Sequence, residues 1–370
     1  MSGEGGRALE RLGELVSIET PSGDARRLDQ AYELVGKWGF EAIGREPERV
    51  EVEGVPHLLW RATGDQRVLV LCHADTVFPA GTIDRRPFRV DGERAFGPGV
   101  FDMKAGIVVA LEAIEAVGKA DGIALLVTGD EETGSVTSRA LIESLAVQGD
   151  AVLVLEPSLD GALKVGRKGG SFYRLHFHGR AAHAGLEPEL GSNALLEMAH
   201  WATEVVALAD PAAGTTVTPT LARAGTAMNV VPDSGELSVD VRARTMAELD
   251  RVENAVRALA EHRAELPDGV SVVIEGGLNR PPLEEDGSVS LVELCQAEAR
   301  RAGLPEPGTA AVGGGSDGNF TAALGVPTLD GLGPAGGGAH AEHEWVEIAS
   351  IDERARIVAG MLRSLCADRR

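Results

Sequence analysis

Five short strings in this chain carry imidazole and carboxylate groups at spacings suited to holding divalent cations. His73-Ala74-Asp75-Thr76-Val77 places a carboxylate two residues after a histidine, where it can accept the other ring N–H and fix the tautomer. Gly97-Pro98-Gly99-Val100-Phe101-Asp102-Met103-Lys104-Ala105-Gly106 sets Asp102 at the mouth of an apolar helical run. Gly129-Asp130-Glu131-Glu132-Thr133-Gly134 supplies adjacent carboxylates whose side chains diverge, so that one can bind a cation while the other faces a water. Leu155-Glu156-Pro157 and Ala339-His340-Ala341-Glu342-His343-Glu344 complete the set. A catalytic zinc pair needs a bridging carboxylate, terminal nitrogen or oxygen ligands on each ion, and a position left for water. His73, Asp102, Glu132, Glu156 and His340, with one of them shared, give each ion three protein ligands. Taken singly, each is what any polar loop at a strand end offers, a capping or solvated group. The order of the strings along one chain carries the argument.

The elements that must position these residues can be read from the pattern around them. From Gln66 to Pro157, short apolar runs alternate with helical stretches: Val68 to Leu71, Met103 to Val117, Ile123 to Val127 and Ala151 to Leu155. Buried strands joined by crossover helices produce this pattern. Each strand runs directly into polar residues, and in open α/β sheets sites form beyond the carboxyl ends of the strands. Three strands therefore deliver His73, the Glu131-Glu132 pair and Glu156 to one edge.

After Gly166 the pattern changes. Ser171 to His178 alternates, with Tyr173, Leu175 and Phe177 on one face and Phe172, Arg174, His176 and His178 on the other. A helix from Asn193 to Leu208, strands near Thr216 to Ala222 and Glu236 to Arg242, a helix from Met246 to Glu265 and a strand from Val270 to Glu275 follow. This β-α-β-β-α-β order predicts a ferredoxin-like insert. Leu278-Asn279-Arg280-Pro281-Pro282 reads as the return linker, since paired prolines continue neither strand nor helix. The expected domains are residues 1–166 with 281–370, and an inserted 167–280. Beyond the insert, Ser288 to Ala302 and Asp352 to Leu365 read as helices and Val326 to Leu329 as a strand rejoining the first sheet. Gly313-Gly314-Gly315 and Gly336-Gly337-Gly338 are loops that permit close backbone approach, or simply turns.

Bulk properties bound what these parts can do. At 370 residues with 44% hydrophobic content, two domains are the expected division. Cys72, Cys295 and Cys366 are odd in number and far apart, which argues against a disulfide framework or a thiolate zinc site. The formal charge of −22 disfavours nucleic acid and anionic membranes as partners, so an anionic substrate needs a local cluster of positive side chains. Neither a leader-like N-terminus nor a run of membrane-span length is evident, and a cytoplasmic location is expected.

With these motifs in place, the chain resembles the dinuclear zinc amidohydrolases that include glutamate carboxypeptidase, acetylornithine deacetylase and succinyl-diaminopimelate desuccinylase. The resemblance spans nearly the whole length. It implies a zinc-exopeptidase-like mixed sheet flanked by helices, with an inserted ferredoxin-like dimerisation domain. It implies that His73 and Glu156 serve one zinc, Glu132 and His340 the other, with Asp102 bridging, Asp75 orienting His73 and Glu131 as general base. Manganese or cobalt could replace zinc. A cis peptide at Asp102-Met103 belongs to the same pattern. Both His340 and His343 stand in the tail string; the family's late histidine sits a few residues before a glutamate, here Glu344, which favours His340. His176 and His178, without nearby acids, read as a solvated strand face, and His57, His200 and His262 carry no motif.

Further residues are carried over onto the insert and its surroundings. His183, in Ala181-Ala182-His183-Ala184-Gly185, resembles the histidine that in dimeric relatives reaches the partner's active site and steadies the oxyanion, and Asn229 resembles a second polar contact. Arg242 resembles the arginine that clamps a substrate carboxylate, for which a planar fork suits. Lys164 and Arg280 resemble positions around a glutamate moiety, and Gly314, Gly315 and Ser316 could add backbone contacts. The implied reaction is hydrolysis of an amide or peptide bond to a C-terminal amino acid, with glutamate the expected one, in an N-acyl amino acid or short peptide. An N-acyl-amino-acid deacylase of the acetylornithine or desuccinylase type is the alternative, and a non-catalytic metal-binding relative a third reading. A homodimer through the insert is the expected assembly.

Overall fold

The computed structural model describes residues 3–264 and 269–367, so the expected helix end at Glu265 lies outside the described residues. The chain divides into two units, one of Met1–Gly166, Glu284–Val312 and Ser316–Arg370, the other of Arg167–Leu283 and Gly313–Gly315.

The first unit is built on a six-stranded mixed sheet in the order Glu48–Val52, Val55–Trp60, Asp121–Thr128, Thr63–His73, Ala151–Val154, Thr328–Leu329. The last four strands run parallel to one another, while Val55–Trp60 pairs antiparallel with Asp121–Thr128. Side chains of Thr63–His73 alternate between two apolar layers: Val68, Val70 and Cys72 join one core cluster, Leu69 and Leu71 the other. Helices cover both layers, which is why these strands read as unbroken apolar runs. Helix Ala105–Val117 is apolar all round and buried over most of its length, as a helix inside a layer must be. Its glycine at Gly106 is required by close approach, since a Cβ there would lie 2.1 Å from the carbonyl oxygen of Leu155. That contact sets the start of the helix against the strand end that carries Glu156.

The hairpin Glu48–Val52 and Val55–Trp60 precedes the region whose alternation is visible in the sequence. It turns through Glu53 (φ 49°) and Gly54 (φ 82°), the left-handed pair that a two-residue turn of this twist requires. A second, four-stranded sheet joins Gly336–Gly337, Trp345–Glu347, Arg94–Phe96 and Arg89–Asp91. Its first two strands pair antiparallel, so residues 338–344, with His340 and Glu344, form the loop of a hairpin.

The second unit has the ferredoxin-like order. Strands Thr216–Ala224, Ser234–Ala243, Gly169–His178 and Ser271–Arg280 form one antiparallel sheet in that spatial sequence, with helices Ala194–Val206 and Met246–Ala264. Tyr173, Leu175 and Phe177 are buried beneath the helices, and Phe177 meets Trp201 edge-on at 6.2 Å. Two expectations need correction. The last strand does not stop at Glu275: it continues through Leu278 to Arg280, paired with Ser171 and Gly170, and ends only at Pro281. Nor does His176 lack acidic neighbours, since its Nε2 lies 3.3 Å from Glu275 and its Nδ1 3.9 Å from Glu236 on the adjacent strands. Cross-strand neighbours of this kind are invisible until the register is known. Among the described residues no helix is long and apolar enough to cross a membrane.

Candidate metal centre

Three parallel strand ends meet at one edge of the first unit. Thr63–His73 terminates in His73, Asp121–Thr128 runs into the turn of Asp130 to Thr133, and Ala151–Val154 leads through Leu155 to Glu156. Asp102 joins them from the irregular stretch Val100–Lys104 ahead of helix Ala105–Val117, and its peptide bond to Met103 is cis. His340 comes from the hairpin loop and holds a left-handed backbone (φ 63°), which is strained for a non-glycine residue and points to a constrained site.

The resulting distances define two imidazole-centred groups that share an aspartate. His73 Nε2 lies 3.3 Å from Asp102 Oδ1 and 3.2 Å from Glu156 Oε1. His340 Nε2 lies 3.4 Å from Asp102 Oδ2 and 3.1 Å from Glu132 Oε2. Asp102 thus presents one oxygen to each histidine. Ligand atoms of His73, Asp102 and Glu132, and separately of His73, Glu131 and Glu156, all fall within 4.8 Å of one another. His343 is exposed, and the structure brings His340 rather than His343 to the acids.

The donor set fits a pair of cations. Two atoms each about 2.1 Å from one tetrahedral ion lie roughly 3.4 Å apart, close to the spacings observed. Glu132 Oε1 is buried with no hydrogen-bond partner, an expensive arrangement for a carboxylate oxygen unless something positive meets it. Asp102, Glu131, Glu132 and Glu156 would repel one another in this space without added positive charge. In the metal-free chain that charge comes from the imidazoles. Hydrogen bonding to Asp102 and then Glu132 pushes His340 up to about 10. Burial opposes protonation of His73, but its contacts with Asp102, Asp75 and Glu156 outweigh it and raise that group well above its usual range. Asp102 is likewise buried, yet both histidines hold its carboxyl below the ordinary range, and Lys164 assists. Burial raises Glu132.

Asp75 does more than its spacing to His73 predicts. His73 Nδ1 is 3.0 Å from the main-chain oxygen of Asp75 and 3.4 Å from its Oδ1, so the carbonyl is the nearer acceptor. The carboxylate itself accepts from the amides of Glu131 (3.1 Å) and Glu132 (3.2 Å) and from Ser22 Oγ (2.7 Å). One buried aspartate therefore ties the histidine strand to the acidic turn.

Glu344 served the sequence reading only as a spacing mark, and the structure gives it a larger part. Its carboxylate accepts from the amides of Gly99 (2.8 Å), Phe101 (3.0 Å) and Asp102 (2.9 Å), clamping the loop that presents Asp102. Asp317, Asp130, Thr137 and His57 also support the acidic turn and were not singled out: Asp317 accepts from Thr128 Oγ1 (3.0 Å) and from Ser135 Oγ. The density of Ser, Thr and Asp around Glu131 was a signal for Asp130 and Thr137; His57 and Asp317 are distant in sequence and carried none.

The residues expected to meet substrate fall into separate places. Lys164 is half-buried in strand Leu163–Arg167 and donates its amide to Asp330. Ser316 is buried, its hydroxyl committed to Asp330 and its amide to Asn319 Oδ1. In the second unit, Arg242 forms a two-pronged pair with Asp240 (Nε–Oδ1 2.9 Å, Nη2–Oδ2 2.9 Å) and lies over the Phe172 ring. Arg280 is buried, and its side chain fills the space a Cβ on Gly315 would take. Arg167, which the sequence reading passed over, donates to the carbonyls of Gly314 and Gly315, both at 3.1 Å. His183 and Asn229 are both exposed and meet through the amide of Ala184, which donates to the Asn229 carbonyl at 2.9 Å.

A mixed sheet whose strand ends bring His73, Glu131, Glu132 and Glu156 to an aspartate that also faces His340 is the framework of a metal-dependent hydrolase. The chain belongs to peptidase family M20/M25/M40, whose sequence profile matches residues 69–364. It is 32% identical to carboxypeptidase G2 of Pseudomonas sp. (strain RS-16), over 97% of this chain and 89% of that protein. It is also 32% identical to a succinyl-diaminopimelate desuccinylase of Alkalilimnicola ehrlichii, over 87% of this chain and 90% of that one. Among solved structures, a tripeptidase from Staphylococcus aureus superposes with a TM-score of 0.79 at 23% identity over 98% of both chains. An M20 family metallo-carboxypeptidase from Sulfolobus solfataricus does so with 0.73 at 16% identity, covering 97% of this chain and 99% of that one. These two likenesses establish the fold.

Proposed function

We propose that this hydrolase cleaves the amide bond joining an acyl group to a C-terminal amino acid, with glutamate the preferred residue, using a zinc pair held by His73, Asp102, Glu132, Glu156 and His340. The observation that carries the reading is Asp102, whose two oxygens face His73 and His340 separately while the Glu131-Glu132 turn is pinned beside them by Asp75. Bound cations would polarise the scissile carbonyl and make water a stronger nucleophile at neutral pH. Glu131, whose carboxylate shares a group with His73 and Glu156, takes the proton of the attacking water and returns it to the departing amine. Asp75 fixes the His73 ring and the backbone beneath Glu131.

For the amino acid, the positive side chains supply the argument. Lys164, Arg242 and Arg280 are set in a chain of net charge −22, where an anionic group requires local compensation. Similarity to carboxypeptidase G2 over nearly the full length supports release of a C-terminal amino acid, and within that class glutamate is our reading of the positive side chains. We assign the metal chemistry to the first unit and a lid and dimerisation role to the second, with His183 and Asn229 offering donors to the oxyanion in a partner copy and Gly314 and Ser316 adding backbone contacts to the acyl-amino acid.

The test is amino-acid release from a panel of N-acyl and dipeptide substrates by zinc-loaded protein, with Glu131→Gln as control. Glutamate conjugates should lead the panel, and Glu131→Gln should lower kcat by about 10²- to 10⁴-fold while keeping its metal. Comparable activity in a metal-loaded Glu131→Gln would overturn the role of the base; preference for N-succinyl diamines would replace glutamate by the desuccinylase reading.

A further inference from the structure

We propose that His57, a residue without any motif of its own, is a positioning residue for Glu131, acting through a proton-ordered relay from Gly129 to Asp130. The inference rests on the reading of Glu131 as general base.

His57 lies in strand Val55–Trp60 and is completely buried. The amide of Gly129 donates to its Nδ1 at 3.2 Å. A backbone N–H can only donate, so Nδ1 carries no proton, and the single proton of the neutral ring sits on Nε2. Nε2 lies 3.1 Å from Thr137 Oγ1, which therefore accepts, and the threonine hydroxyl passes its own proton 2.8 Å onward to Asp130 Oδ2. The same carboxylate oxygen accepts the amides of Thr137 (2.7 Å) and Ser138 (3.3 Å). Every proton along this chain has one place. A ring protonated at Nδ1 would set N–H against N–H, and burial, which outweighs the nearby Asp130 and Asp75, keeps the ring neutral.

The relay brackets the acidic turn. Gly129, where strand Asp121–Thr128 ends, seats so closely on the neighbouring strand that a Cβ would come within 2.5 Å of the Pro56 carbonyl oxygen. On the far side, Asp130 Oδ2 gathers Thr137 and Ser138, closing the loop that contains Glu131 and Glu132. The main-chain oxygen of Asp130 accepts from Thr133 (3.2 Å) and Ser135 (2.9 Å), and Glu131's own carbonyl accepts from Gly134 (2.9 Å). Asp75 separately holds the amides of Glu131 and Glu132. With its backbone held by both sets of bonds, Glu131 has a defined direction of approach; loosening the His57 side lets the turn shift, Glu132 with it, while four of the five metal ligands, His73, Asp102, Glu156 and His340, stay in place and retain the ions at saturating zinc. General-base catalysis is sensitive to such shifts, because a displacement of about 1 Å can lower the rate roughly a hundredfold.

The experiment compares zinc-loaded parent, Glu131→Gln, His57→Phe, His57→Asn and Thr137→Val on the leading glutamate conjugate of the panel. His57→Phe should lower kcat by about 10- to 100-fold, with KM within about threefold and zinc per chain unchanged. Thr137→Val, which removes only the relay hydroxyl, should lower kcat by about fivefold or more, again without a change in KM or zinc content. His57→Asn, whose Oδ1 can replace Nδ1 as acceptor for Gly129 but whose shorter side chain gives up the bond to Thr137, should fall with Thr137→Val, about fivefold below the parent and above His57→Phe. If His57→Phe does not fold, Thr137→Val and His57→Asn decide the matter by the same measurements. Parental kcat in Thr137→Val and His57→Phe, or losses that track released zinc or a raised KM, would overturn the proposal and leave the base assignment standing. An active Glu131→Gln would overturn both.

Discussion

The carboxylate of Glu344 illustrates how one residue can govern a site it does not enter. Burial pushes its group up to about 7, although three backbone N–H donors favour the ionised form. Those donors belong to Gly99, Phe101 and Asp102, so the side chain replaces water for a loop that has no regular hydrogen-bonding partner. Glu344→Ala would leave three donors unsatisfied beside the aspartate shared by both histidines. We expect zinc affinity to fall by about 10- to 100-fold, measured by titration against a competing chelator, with the remaining structure intact by circular dichroism. Parental affinity in that variant would show that Asp102 is placed by other means. At this scale the sequence pointed to His73, Asp102, Glu132, Glu156 and His340 as candidates, because each stands in a short polar string whose chemistry is local, and the structure places them side by side. Glu344 and His57 were hidden because their partners, Asp102 and Gly129, are 242 and 72 residues away, and no spacing rule reaches that far. Asp75 was half legible: its proximity to His73 follows from two residues of separation, its hold on Glu131 and Glu132 does not.

Among the elements, strands buried on both faces announced themselves as apolar runs, and their polar ends correctly located one edge of the sheet. The hairpin of Glu48–Val52 and Val55–Trp60 did not, because Pro56 and an unbroken Leu58-Leu59-Trp60 obscure any period of two. Gly336–Gly337 and Trp345–Glu347 are too short to carry a pattern, although their hairpin is what presents His340. Helix Ala194–Val206 raises a different question. It buries Ala194, Met198, Trp201 and Val205, yet leaves Leu195 (42%), Leu196 (68%) and Val206 (47%) exposed. Strand Thr216–Ala224, at the edge of the same unit's sheet, exposes Leu221 as well. Apolar side chains beside an open strand edge are what a second copy would cover, and on this we base the proposed homodimer. Replacing Leu196 with Glu removes about 2 kcal/mol of apolar burial from each protomer, about 4 kcal/mol in a symmetric dimer and roughly a thousandfold in its Kd, before the charge is counted. Light scattering across a dilution series should find a dimeric parent and a Leu196→Glu variant shifted toward monomer; a parent that stays monomeric at high micromolar concentration would remove the proposal.

For the molecule as a whole, metal loading and pH must act against each other through the same two imidazoles. In the metal-free chain, Asp102 and Glu132 raise His340 from 6.5 to about 10, and the acids around His73 raise it too. A group raised in the folded state adds stability that is fully present below its unfolded value and disappears as pH climbs through the folded one. The metal-free protein should therefore lose stability between about pH 6.5 and 10, modestly, since His340 is half exposed and solvent screens its pairs. Cation binding has the opposite slope. It requires both rings neutral, so loading expels their protons, and affinity rises as protons become scarcer. Stabilisation by a bound ion grows with the ratio of free ion to Kd, which makes the gap in Tm between loaded and chelated protein a direct measure of this competition. At constant free zinc, the gap should widen steadily from about pH 6 to 8, with proton release approaching two per chain on loading near neutrality. Differential scanning fluorimetry on chelated and reloaded samples, with titration in two buffers of different ionisation enthalpy, measures both quantities. A gap that stays constant or narrows as pH rises would mean that the metal does not displace protons from His73 and His340, and the two-ion arrangement around Asp102 would have to be abandoned.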